Sequence, residues 1–205
     1  GIVLEQLDRL RKYAPIVLIL WMSGCSDPIG DQGNGHPVAQ DLQIFDDGKT
    51  DGYGFDPSHL MDDDLFVDAT YLSAEEIQAF LEESPYGHRS FLADFSTDGQ
   101  STAEYIAEMA IMFQINPLVL LVKLQVESSL VYRNQQPANR LVIHAMGCGC
   151  PDGDPSCRYA PKGLFPQIRC AARLFREYLI QMEEDGRTVT GWGPGIRKQT
   201  SESEA

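Results

Sequence analysis

The chain has 205 residues, of which 43% are hydrophobic, so it can form the core of one domain of ordinary size with extensions. Its net charge of −14 argues against nucleic acid as a partner, because phosphate binding requires clustered lysine and arginine side chains. The sequence also has no polybasic patch of the kind that binds membrane surfaces.

The first 24 residues have the pattern of an export signal. Three basic residues precede the apolar run Ala14–Met22, and a Ser-Gly pair follows it. This run is too short to span a bilayer, and the order of basic, apolar and small residues is typical of a secretory signal. Cys25 comes next, where a bacterial lipobox carries its lipidated cysteine. We therefore predict a signal peptide over 1–24 and a cell-envelope lipoprotein anchored to the membrane at Cys25. An ordinary signal peptide of a secreted protein, or a short membrane anchor, is the alternative.

Residues 25–67 are predicted to form an acidic disordered linker. The segment is rich in aspartate and glycine, and Lys49 is its only lysine or arginine. Low hydrophobicity combined with like charges does not favour a packed core. A calcium-binding EF-hand starting at Asp47 is not supported, because Lys49 and Ser58 occupy its third and twelfth positions.

Residues 68–185 are predicted to form a mainly α domain. Ser73 with Glu76, and Ser101 with Glu104, have the spacing of capping boxes at two helix starts. Pro117 favours the start of a third helix, which runs to about residue 130. A long helix follows in the stretch Pro161–Glu184, with an irregular segment over 133–160 before it, and residues 186–205 are a polar tail or a truncated end. No strand pattern of useful length is present.

Four cysteines cluster in the C-terminal part, and an even number in an exported chain indicates disulfides. Cys148 and Cys150 are too close in sequence to bridge comfortably. We expect Cys150–Cys157 to close a small loop and Cys148–Cys170 to connect that loop to the last helix. A zinc site is the rival interpretation, but the spacing lacks the paired C-x2-C knuckles of a strong zinc motif. No metal or cofactor is expected.

Glu127 is the candidate catalytic residue. It lies near the end of the helix that starts at Pro117, and that helix has apolar residues around nearly its whole circumference, which is typical of a buried helix. Burial and a helix C-terminus both disfavour an anion, and a protonated carboxyl is what a general acid needs. A solvent-facing pair of Lys123 with Glu127 is the alternative. Helical periodicity alone favours neither.

Several motifs occur in a specific order over about residues 70–180. These are "LSAEEIQAFL" (Leu72–Leu81), "INPLVLLVKLQ" (Ile115–Gln125), the "GCGCPDG" loop that begins at Gly147, and "KGLFPQ" (Lys162–Gln167). They resemble a family of exported bacterial proteins with the lysozyme-like fold. The helix ending in Glu-Ser resembles the catalytic helix of lytic transglycosylases. The chain departs from that pattern in lacking a clear downstream Ala-Tyr-Asn motif, and its glutamine comes one place later than in Gly-Leu-Met-Gln.

The resemblance implies a lysozyme-like domain that cleaves peptidoglycan glycan strands between N-acetylmuramic acid and N-acetylglucosamine. Glu127 would be its general acid, and Ser128, Gly163, Gln167 and Tyr132 would shape the sugar groove. The enzyme would be a lytic transglycosylase, which the resemblance implies needs one carboxylate, or a muramidase, which usually needs two.

Other interpretations remain open. Asp152 and Asp154 are candidates for a second acid, although Asp-Gly and Asp-Pro also favour turns. The chain could instead be a glycan-binding or structural envelope lipoprotein without catalysis. A weaker interpretation is a redox or metal protein that uses its cysteine cluster.

Overall fold

The computed structural model describes residues 61–150 and 157–196. The predicted signal peptide, Cys25, most of the predicted linker, Asp152 and Asp154 lie outside these ranges. The domain is mainly helical, as predicted, with one hairpin of two-residue strands. Its elements are α1 (Asp63–Phe66), α2 (Ala74–Glu82), a 3-10 turn (Phe91–Ala93), β1 (Ser96–Thr97), β2 (Gln100–Ser101), α3 (Thr102–Phe113), α4 (Pro117–Ser128), α5 (Asn139–Ile143) and α6 (Leu164–Asp185).

Both predicted capping boxes are present at helix starts. The Glu76 N–H donates to Ser73 Oγ at 3.2 Å, and the Ser73 N–H donates back to the Glu76 carboxylate at 2.8 Å. Ser101 and Glu104 form the same reciprocal pair at the start of α3. These bonds satisfy N–H groups that the first turn of a helix leaves without partners, so the two helices begin where the sequence places their caps.

Helix α4 is largely buried in the fold. Asn116 caps it by accepting the Leu118 N–H at 2.8 Å, and Pro117 occupies the first turn. Ser129 ends the helix in the left-handed region, at φ 55°. Within the described ranges, no single helix is long and apolar enough to cross a membrane. Helices α3 and α4 taken together have the length and composition of a membrane span, but they are bent by 119° to each other.

The core forms where α3 packs against α2, α4 and α6. Leu120, Leu121 and Leu124 contribute the buried side of α4, and Ile168 and Ala172 contribute that of α6. The predicted long helix is thus confirmed, with Pro166 in its first turn. Arg169 and Arg173 on α6 are exposed, but Arg176 is half-buried. Its Nε donates to the Phe113 carbonyl at 2.7 Å, which ties α6 to the end of α3.

The folded region begins earlier than the sequence indicated. Residues 63–66, which the sequence assigned to the linker, form α1 on the surface of the domain. The Asn116 Nδ2 donates to the Leu65 carbonyl at 2.8 Å, and the rings of Phe66 and Phe175 meet edge to face at 5.8 Å. These contacts join residues about fifty and more than a hundred positions apart, so local sequence composition could not reveal them.

Candidate active site around Glu127

Glu127 lies in the last turn of α4 with 34% of its side chain exposed. Its carboxylate pairs with the ammonium of Lys123, one turn earlier, whose side chain is 33% exposed. Leu124 and Leu120, three and seven residues earlier, lie on the same side of α4 and are fully buried, so Glu127 is at the partly exposed end of that side. Of the two arrangements that the sequence left open, the structure therefore shows the Lys123–Glu127 pair, although both side chains are partly covered.

Gly147 covers the other side of the Glu127 carboxylate. A Cβ atom built on Gly147 would lie 3.2 Å from Glu127 Oε2, which is tighter than an ordinary van der Waals contact. Gly147 also has φ +63°, a left-handed conformation that side chains disfavour. Glycine at this position thus allows the loop backbone to approach the carboxylate closely.

Ser128, the next residue, holds the same loop to the helix. Its buried hydroxyl lies 2.7 Å from the Ala145 carbonyl and 3.0 Å from the Leu124 carbonyl, which is in its own helix. A hydroxyl has one proton to donate, so these two oxygens share it. Ser128 therefore connects α4 to the segment two residues before Gly147, and does not face an open groove.

Gln167 braces the loop from the opposite side. This side chain is completely buried, and its Oε1 accepts the N–H groups of Met146 at 3.2 Å and Cys148 at 3.0 Å. Its Nε2 donates to the carbonyls of Cys148 at 2.9 Å and Pro161 at 2.6 Å. One side chain on α6 thus satisfies four backbone groups around Gly147, and it has no remaining hydrogen-bonding capacity for a ligand.

Two disulfides and a glycine complete the bracing of this loop. Cys148 pairs with Cys170, and Cys150 pairs with Cys157, as predicted. Gly163, at φ +113°, donates its N–H to the Ile143 carbonyl at 3.0 Å immediately before α6 begins. The structure therefore brings the predicted Glu127, Ser128, Gly163 and Gln167 together around one loop, residues 143–150, which we call the glycine–cysteine loop.

Tyr132, the other predicted groove residue, lies elsewhere. Its N–H donates to Gln125 Oε1 at 2.9 Å, and its ring meets those of Tyr86 at 5.1 Å and His88 at 5.3 Å, both edge to face. Burial, together with the neighbouring Tyr132, raises the pKa of Tyr86 to about 12. Gln125 is two residues before Glu127, or about 200° away around the helix, so Tyr132 and Glu127 lie on different sides of α4.

His144 lies beside the Cys150–Cys157 disulfide. Its Nδ1 is 3.9 Å from Cys150 Sγ, and the nitrogen and both sulfurs lie within 4.8 Å of one another. Three such atoms could hold a metal if the cysteines were thiolates, because the thiolate is the form that binds metal. The two sulfurs are bonded to each other here, so His144 offers the one remaining ligand atom of this group.

The sequence interpretation gave no individual role to Gly147 or to residues 133–137. A signal for Gly147 exists in "GCGC", where glycines alternate with cysteines that are too close to bridge each other.

Comparison of the chain with protein-family models, curated proteins and solved structures finds no match.

Proposed function

We propose that this protein cleaves the glycan strands of peptidoglycan and that Glu127 donates the proton to the departing glycosidic oxygen. The observation that carries the proposal is the position of the Glu127 carboxylate, which is partly accessible at the end of α4 and closely approached by the backbone of Gly147. Ser128 and Gln167 hold that loop from two directions, and a catalytic group requires such a rigid surrounding.

The mechanism assigned to Glu127 is general acid catalysis. A protonated carboxyl within hydrogen-bond distance of the glycosidic oxygen lowers the cost of breaking the bond to the leaving sugar. In the transglycosylase reaction the same group, now ionised, takes a proton from the sugar hydroxyl that closes the anhydro ring. In hydrolysis a water molecule takes the place of that hydroxyl. We propose the transglycosylase route, which the family resemblance favours.

The proposal includes the lysozyme-like fold and export to the cell envelope, with a lipid anchor at Cys25. The mainly helical architecture supports the first, and the two disulfides support export, since disulfides persist in oxidising compartments. Ser128, Gly163 and Gln167 have a positioning role here, because their polar groups bond to the glycine–cysteine loop and its flanks.

A non-catalytic, glycan-binding envelope protein is the second candidate. The ion pair between Lys123 and Glu127 favours it, because exposed pairs four residues apart are common on helices that have no catalytic role. In this alternative the chain binds glycan strands and releases no fragments.

Digestion of purified peptidoglycan tests the proposal. The unchanged protein should release fragments with anhydro-muramic ends, and Glu127→Gln should release none while retaining its thermal unfolding midpoint. Glu177→Gln is a matched control, since Glu177 forms a similar pair with Arg173, four residues earlier, at 2.8 Å on α6. The control should remain fully active. Fragments with reducing ends would show hydrolysis instead. Binding without any release by the unchanged protein would refute the enzyme proposal and favour the second candidate.

A further inference from the structure

A cleft of about 450 Å³ opens beside the segment that follows α4. His88, Tyr132 and residues 133–137 line it, and we call it the Tyr132 cleft. Its volume is within the range of about 300–1,000 Å³ in which proteins bind small molecules. Because Tyr132 lies on the Gln125 side of α4, this cleft is distinct from the Glu127 site.

Arg133 supplies the positive charge of the cleft. Its Nε is buried, and none of the residues that the structure describes offers it a hydrogen-bond acceptor. Throughout the same ranges, no carboxylate lies within ion-pair distance of its guanidinium, although the chain has 30 acidic residues against 16 basic ones. Buried polar groups are normally hydrogen-bonded, and an arginine fork matches a carboxylate in shape and charge. Because the Nε is covered, the two terminal nitrogens of the Arg133 guanidinium are the groups that are available to an anionic ligand.

The walls of the cleft are held rigidly. The Phe91 N–H donates to the Arg133 carbonyl at 2.7 Å, and a ring nitrogen of His88 bonds to the Tyr132 carbonyl. Gln125, which is buried in α4, fixes Tyr132 from behind through its Oε1, and its Nε2 has no acceptor among the residues in the described ranges. Arg133 is thus presented from a backbone that three separate parts of the fold hold in place.

The rim of the cleft is polar and uncharged. The side chains of Asn134, Gln135 and Gln136 are exposed, and each amide offers both donors and an acceptor. The ring of Tyr132 provides an apolar surface next to them. An aromatic ring, several amides and one cation suit a ligand that has many hydroxyl groups, an apolar ring face and one carboxylate.

We propose that the Tyr132 cleft binds an acidic saccharide, with the carboxylate of the sugar on the Arg133 guanidinium and its hydroxyls on the rim amides. This binding is independent of the proposed cleavage at Glu127, since the two sites lie on different sides of α4. The cleft would thus give the protein a second point of contact with a glycan.

Titration calorimetry on the full chain with two matched sugars tests the proposal. N-acetylmuramic acid and N-acetylglucosamine differ only in the lactyl group that carries the carboxylate. The acidic sugar should bind about tenfold or more tightly than the neutral one, the change expected for one charge-assisted pair. Arg133→Gln should remove this preference. Arg169→Gln, which removes an exposed arginine on α6 and so makes the same change in net charge, should leave it intact.

Two further variants and one further probe keep the test decisive. Gln135→Ala changes an exposed rim amide, which the fold does not require, and should weaken binding of N-acetylmuramic acid several-fold. Glu127→Gln should bind as the unchanged protein does, so loss of cleavage and loss of cleft binding can be told apart. Equal affinity for both sugars, or an equal loss in Arg169→Gln, would overturn the proposal. So would inorganic phosphate binding as well as the acidic sugar, because the site would then recognise an anion without a saccharide.

Discussion

Gln167→Ala is the substitution expected to have the largest effect on the glycine–cysteine loop. It removes four hydrogen bonds at once, two to the N–H groups of Met146 and Cys148 and two to the carbonyls of Cys148 and Pro161. A buried hydrogen bond contributes about 1 kcal/mol net, so the expected loss in the free energy of unfolding is about 4 kcal/mol. Water that enters the space left by the side chain would reduce this loss to about 2 kcal/mol.

Urea denaturation of the oxidised protein measures the loss, with Gln136→Ala as the control. Gln136 has the same side chain in an exposed position, so its truncation should change the free energy of unfolding by less than about 0.5 kcal/mol. Hydrogen exchange at the Met146 and Cys148 amides should accelerate in Gln167→Ala. A loss below about 1 kcal/mol, with both amides still protected, would refute the claim that Gln167 holds this loop.

Three further substitutions or titrations test other parts of the structure. Ser101→Ala removes the side-chain cap of α3 and should lower the free energy of unfolding by about 1 kcal/mol in urea denaturation; an unchanged midpoint would contradict the capping role. Gly147→Ala places a methyl group on a left-handed backbone and against Glu127 Oε2, so it should lower the free energy of unfolding by about 1–3 kcal/mol and also reduce peptidoglycan cleavage. Gly99→Ala is the control, because it has the backbone strain without the carboxylate contact and should leave cleavage unchanged. Burial keeps Tyr86 neutral in the folded state, with its pKa at about 12 against 10 for the free side chain. The stability that this tyrosine adds is thus fully present below pH 10 and is lost between about pH 10 and 12. The Tyr86→Phe variant should lose less stability over this pH range. An ultraviolet titration in which every tyrosine ionises near pH 10 would contradict the raised pKa of Tyr86.

The parts of the fold that depend on local signals could be predicted from the sequence. Capping boxes at Ser73 and Ser101 involve residues three positions apart, and Pro117 marks the first turn of its helix by itself. The starts of α2, α3 and α4 were therefore predictable to the residue. The disulfide pairing was also predictable, because one of the three pairings of four cysteines joins the nearly adjacent Cys148 and Cys150, and closure of the short loop favours Cys150–Cys157 among the other two.

The surroundings of Glu127 could not be predicted in the same way. A helix that is apolar on nearly every side has no clear polar face, so periodicity could not show whether Glu127 points inward. Its contact with Gly147 joins residues twenty positions apart, with α5 between them, and depends on the bonds of Gln167 and Ser128. The position of Tyr132 depends likewise on its bond to Gln125, which turns it away from the glutamate.

The ion pair of Glu127 with Lys123 is compatible with an acid role, because it is energetically weak. Partly exposed pairs four residues apart on a helix contribute about 0.2–0.5 kcal/mol, less than the charge-assisted bonds that a sugar substrate can form. A bound glycan can therefore displace Lys123 from the carboxylate at little cost. Gly147, by contrast, lies in a loop that the bonds of Ser128 and Gln167 and the Cys148–Cys170 disulfide hold beside Glu127. If the pair were instead the reason that Glu127 is present, the unchanged protein would not cleave peptidoglycan. Lys123→Met would then only lower the free energy of unfolding. If Glu127 acts as the acid, Lys123→Met should preserve the cleavage of peptidoglycan.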